Sequence, residues 1–117
     1  VDTSFNVYVA DTQNNCIRRI DAAGTVTTFA GTAGPGNFGT TDGPSNIAQF
    51  RFPAGISADA LGNLFIADFG NHKIRKIDST STVSTFAGTG IAGTTDGASN
   101  VAQFNSPAGV VAIGGII

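Results

Sequence analysis

The chain has 117 residues, enough for one small domain. Its formal net charge is −2 and only 12% of its residues are charged, which excludes the basic stripe of a nucleic-acid binder. A single cysteine, Cys16, excludes an internal disulfide framework, and no apolar run is long enough to cross a bilayer as a helix.

The chain opens with segments that return later. "ADTQNNCIRRID" (10–21) comes back as "ADFGNHKIRKID" (67–78), "GTVTTFAGT" (24–32) as "STVSTFAGT" (81–89), and "TTDGPSNIAQFRFPAGI" (40–56) as "TTDGASNVAQFNSPAGV" (94–110). Asp11 answers Asp68, Asn14 answers Asn71, Ile17 answers Ile74 and Arg18 answers Arg75, each at an offset of 57 (68 − 11). Further on the offset is 54 (104 − 50), because "AGPGNFG" shrinks to "GIAG". Length variation in a Gly-rich stretch is what a surface loop tolerates. Repetition at such a period marks a repeat architecture.

The complete unit predicts four short strands: 54–59, 63–68, 73–78 and 83–88, separated by turns rich in Gly, Asn, Asp and Ser. Residues 7–30 are expected to superpose on 64–87. Gly62 with Asn63 supplies the positive φ of a hairpin. The helical candidates are the short turns "SNIAQF" (45–50) and "SNVAQF" (99–104), with Ser45 and Ser99 as caps.

Four strands per repeated unit predict an all-β chain of β-propeller blades, each a small antiparallel sheet needing a neighbour on both faces. The boundaries follow the repeat. Residues 1–52 form a first blade lacking its innermost strand, 53–106 a complete second blade with a long connection, and 107–117 the innermost strand of a following blade. Two blades leave two faces open. The spare strand, through Pro107, Gly109, Val110, Val111 and Ala112, is expected to enter another copy or the remainder of a longer chain. Three such chains would close a six-bladed ring, and a mismatched rotation would give an open filament. The chain contains no methionine, position 1 included, which implies a processed product or part of something longer.

The stretch "GNHKIRKID", preceded by "NLFIAD" and followed by "STFAGTG", resembles the NHL repeat. Asn71, His72 and the place of Lys73 carry that family's Asn-His-Leu triplet; in the first unit it reads Asn14, Asn15, Cys16. The "AGTG…TDG…AQFNSP" segment is similar to the longer variety found in bacterial and some eukaryotic members. The resemblance implies a β-propeller, commonly six-bladed, and leaves activity open.

Asp11, Asn14, Asp68, Asn71 and His72 are read as structural turn residues, the carboxylates accepting backbone N–H groups of their own turns. Arg18 and Arg75, mid-strand in a sparsely charged chain, are expected to pair with carboxylates between blades. No catalytic, cofactor or metal site is assigned. His72 is the only histidine, Asp42 and Asp96 lack calcium-loop spacing, and "GTGIAG" lacks the ending of a phosphate loop. The expected function is a non-catalytic structural or interaction module that offers a rigid surface to protein, glycan or further copies of itself. The alternative is a fragment of a propeller enzyme, lactonase- or lyase-like, whose catalytic residues lie in other blades. Neither nucleic acid nor membrane is an expected partner.

Overall fold

The computed structural model describes residues 5–113. Eight strands follow one another: β1 (Val7–Asp11), β2 (Cys16–Ile20), β3 (Val26–Ala30), β4 (Gly43–Pro44), β5 (Pro53–Ala58), β6 (Leu64–Asp68), β7 (Lys73–Ile77) and β8 (Thr82–Ala87). They form two antiparallel sheets, ordered β1-β2-β3 and β4-β8-β7-β6-β5. The strands expected over 63–88 are present, and β5 lies beside β6 as expected. The two units also share an irregularity: the register slips between Ile17 and Arg18 and again between Ile74 and Arg75.

The second sheet has five strands rather than four. Its outermost strand, β4, comes from the connection after the first unit and pairs Gly43 with Val83 and Pro44 with Thr82. Proline is tolerated there because it sits at an edge, where no further strand needs its missing N–H. The first sheet has three strands among the described residues.

Three hairpins share one turn. Asp21, Asp59 and Asp78 each accept, at Oδ1, the N–H groups two and four residues on, at 2.9–3.0 Å. The residue between them turns left-handed: Gly24 at φ 84°, Gly62 at 88° and Ser81 at 62°. Asn63 is not left-handed; it is held by its side chain on Asp59 at 2.9 Å.

The helical candidates reduce to single turns. Pro44 and Ala98 open them, each carbonyl accepting the N–H groups three and four residues on. Ser45 and Ser99 lie inside these turns and are tied by their backbones, accepting the N–H of Gly31 and Gly88. A side-chain cap acts from the residue whose carbonyl starts the turn, and these serines stand one place too late.

The core fills the space between the sheets. Ile17 and Ala30 come from the first sheet, Leu64, Ile66, Ile77 and Val83 from the second, and Ala48 and Phe50 from the connection. Period-two alternation assigns the faces. Leu64 and Ile66 point to the first sheet, so Phe65 points away and packs edge-on against Phe86 at 5.0 Å. The twin pair, Tyr8 and Phe29 at 4.9 Å, packs against the shared core.

Candidate functional site

Arg75 is the centre of the seam between the two units. The slip in β7 seats it in the interior with its side chain fully buried. Nη1 donates to Asp68 at 2.8 Å and to the Gln49 carbonyl at 2.8 Å. Nη2 donates to Asp42 at 2.7 Å and to the Thr41 carbonyl at 3.0 Å. The guanidinium lies over the Phe50 ring, 5.0 Å from its centre. A buried cation is tolerable only with such a set of partners. Asp68 belongs to the same sheet as Arg75, whereas Asp42, Thr41, Gln49 and Phe50 all belong to the connection from the first unit. Asp42 is braced in turn by the Thr85 hydroxyl at 3.1 Å.

Asp68 also accepts the Arg51 N–H at 2.9 Å and the Asn71 amide at 2.8 Å. Burial pushes its carboxyl above the ordinary value, against the pull of Asn71, the Arg51 N–H and Arg75. Local turn chemistry points this carboxylate at the backbone of its own turn. It reaches instead to an amide 17 residues away, and its 3-10 turn, Phe69–Asn71, has no side-chain cap bond. Asp11 likewise accepts from the Asn14 side chain at 3.0 Å and from Arg18 at 3.1 Å. A carboxylate facing an arginine has stronger partners than a neutral turn amide.

Asn15 and His72 carry out one task with different chemistry. Both are left-handed at φ 55°. Asn15 accepts the Phe52 N–H at Oδ1 and His72 accepts the Ser106 N–H at Nδ1, each at 2.9 Å. The ring proton of a neutral His72 then sits on Nε2. Each contact fixes the residue just before the proline that starts the next repeat.

Arg18, the twin of Arg75, is half-buried and bonded to Asp11; its Nε is buried without a hydrogen-bond partner among the described residues. Pro107 to Ala112 runs alongside β5. Gly55 backs closely onto Ala108 and Gly109, and the Ala112 N–H donates to the Ser57 hydroxyl at 3.0 Å. Val111 is exposed and the segment forms no ladder among the described residues. Cys16 is buried, and burial followed by the charge of Asp11 raises its thiol above the ordinary value, leaving it a poor nucleophile.

A cleft of about 610 Å³ opens between the sheets, walled by Tyr8, Phe29, Leu61, Leu64 and Ile77. Asp59 and Asp78 stand at its edge; the Asn63 side-chain amide on Asp59 and the Thr80 hydroxyl on Asp78, followed by the turn amides at Oδ1, hold both carboxyls below the ordinary range. Among the described residues no three His, Cys, Asp or Glu side chains gather as a metal set.

The NHL repeat profile matches residues 50–77, the stretch from Phe50 through β5, β6 and β7. This is an NHL-repeat chain. It is 36% identical over 110 residues to protein suppressor of quenching 1, chloroplastic, of Arabidopsis thaliana, and 35% identical over 112 residues to NHL repeat-containing protein 2 of Bos taurus. These matches cover 88% and 89% of the NHL-repeat chain but only 10% and 15% of the two relatives. A solved Bacteroides thetaiotaomicron protein of unknown function superposes with a TM-score of 0.85 at 31% identity, over 93% of this chain and 28% of that one. In the NHL triplet of the second unit, Asn71 holds Asp68, His72 holds the next repeat's entry, and Lys73 reaches the Thr40 hydroxyl at 2.8 Å. The sequence missed Asp42 as the partner of Arg75. The available signal was a recurring Asp-Gly in a chain poor in charge, matched by an equally recurrent mid-strand arginine.

Proposed function

We propose that this NHL segment is a non-catalytic interaction module, offering a rigid surface to a protein, a glycan or further copies of itself. One observation carries the reading: its buried polar side chains are engaged in the fold itself, Asp68 and Arg75 across the seam between the units and Asn15 along the connection within the first. Asp68 and Arg75 bond each other and the connection, Asn15 bonds three backbone groups, and His72 accepts a backbone amide. Catalysis needs a group free to move a proton or hold a reacting atom. The cleft beside Tyr8 and Phe29 supports the same reading, since an apolar wall with few engaged polar groups suits binding rather than turnover. The test offers lactone and ester substrates to the purified chain, with and without divalent metal. No turnover above the uncatalysed rate is expected, and turnover removed by His72→Asn overturns the reading.

A second reading, a fragment of a lactonase- or lyase-like propeller enzyme, is favoured by the short span of the match, 28% of the solved structure. Turnover that appears only when further blades are present would decide for it.

A further inference from the structure

Five residues that break the repeat come together at one exposed spot. Arg51, Phe52, Phe69 and Gly70 stand where the matching stretches have Asn105, Ser106, Thr12 and Gln13, and Phe38 stands where the shorter connection has Ala92. Three contacts fix the meeting. The Gly70 N–H donates to the Arg51 carbonyl at 2.7 Å, and the Asn71 side-chain amide donates to the Gly39 carbonyl at 2.6 Å. The Arg51 guanidinium lies over the Phe38 ring, 4.7 Å from its centre.

The repeat keeps its backbone without these side chains. Phe52 and Ser106 are both left-handed, at φ 50° and 51°, and Gly39 and Gly93 each donate to a phenylalanine carbonyl at 3.1 Å. Gly70 is not left-handed, so its backbone does not call for glycine. A β-carbon there would stand 2.5 Å from Arg51 Cγ, so the glycine makes room for the arginine's stem. Phe38, Phe52 and Phe69 nevertheless stay 45%, 37% and 39% exposed. Exposed phenylalanines gathered around an arginine have the composition of a contact surface.

The charge of that arginine is available. Its guanidinium makes no hydrogen bond or ion pair among the described residues. The carboxylates of the adjoining chain, Asp42 and Asp68, are both committed to Arg75. Held over Phe38, Arg51 keeps its N–H fork for an incoming carboxylate.

We infer that Phe38, Arg51, Phe52 and Phe69 form a docking site for a protein segment that presents a carboxylate beside apolar side chains. The carboxylate takes the Arg51 fork, and the apolar side chains cover the phenylalanine rings. Two other ligand classes fit worse. Phenylalanine has no hydrogen-bonding group in its side chain, so a sugar would leave hydroxyls unmatched against the rings. A nucleic-acid strand needs a row of cations, and this spot offers one unpaired arginine in a chain of net charge −2. The inference deepens the interaction reading by naming a partner class. A chain that binds its ligand at the cleft instead would sink this site and leave that reading standing.

The test selects a phage-displayed library of random peptides on the purified 117-residue chain and maps the recovered peptides by amide chemical shifts. The expected peptides carry Asp or Glu beside apolar residues, and they move the amide signals of Gly39, Phe52, Phe69 and Gly70. Replacing the acidic residue by its amide should weaken binding at least about tenfold. Arg51→Asn, Phe52→Ser and Phe69→Thr install residues already present at the matching places, so the fold survives and the urea midpoint should not fall. Each should weaken peptide binding, Arg51→Asn at least about tenfold. On Arg51→Asn the acidic peptide and its amide should bind equally, a result that a merely structural role for Arg51 would not produce. A selection that enriches nothing, or peptides without a carboxylate, overturns the proposal. Peptides that map elsewhere, or that bind Arg51→Asn as well as wild type, overturn it too. So does movement of these amides by a uronic-acid oligosaccharide or polyuridylate but by no peptide.

Discussion

Residues 40–53 and 94–107 differ at four of their fourteen positions, yet they live in different surroundings. In the first segment Gly43 and Pro44 form a strand, Ala48 and Phe50 are fully buried, and Asp42 holds Arg75. In the second, Gly97 and Ala98 form no strand among the described residues, Ala102 and Phe104 are only half-buried, and Asp96 is exposed. The local turn survives in both, since Ala48 bonds back to Pro44 and Ala102 to Ala98. What the first segment has in addition is a neighbouring sheet. In repeat proteins, stability is a sum of the units and the contacts between neighbours. Here the neighbour term is visible in one molecule, with nearly the same sequence once supplied with it and once without.

The largest effect should come from the arginines. Arg75→Ala strips a buried cation from two carboxylates and two carbonyls, and should cost about 4 kcal/mol in urea unfolding. Arg18→Ala removes a half-exposed pair and should cost less than about 1 kcal/mol. Equal losses would mean that the seam contributes nothing beyond the sheet itself. Next come the aromatic anchors. Phe50→Ala should cost about 3 kcal/mol, and Phe104→Ala less than half of that, because only Phe50 is closed over by a second sheet. Both measurements belong at concentrations where the chain is monomeric. The smallest effect concerns the position where the twins already differ. His72→Asn should change stability by less than about 0.5 kcal/mol, whereas His72→Ala, which leaves the Ser106 N–H without its acceptor, should cost about 1 kcal/mol. If the Asn variant lost as much as the Ala variant, Asn15 and His72 would not be equivalent.

The strands were legible because their evidence is local. Alternation in "NLFIAD" and "KIRKID", bounded by Asp, Gly and Asn, needs no knowledge of the neighbours. The offset between the units then transferred each strand to its twin. β4 was not legible: two residues, Gly43 and Pro44, have no strand propensity, and their partner lies far along the chain in β8. The same distance hid the carboxylates. Arg75 meets Asp42 33 residues away, and Asp68 reaches an amide 17 residues away, while local turn logic points Asp68 at its own turn and gives Asp42 no partner. Asp21, Asp59 and Asp78, which do bond their own turn amides, carried a readable signal in the recurrent Asp four residues before Thr or Asn.

The central claim is that surroundings, not sequence, separate the twin segments. Four substitutions, Pro44→Ala, Ile47→Val, Arg51→Asn and Phe52→Ser, turn residues 40–53 into a copy of 94–107. The decisive measurement is hydrogen exchange in this variant at the Ser45 amide, which donates to the Ser81 carbonyl across the seam at 2.9 Å. The account predicts that this amide stays protected well above the Ser99 amide of the same molecule. Exchange at Ser45 as fast as at Ser99 would contradict it, and would place the difference in those four side chains.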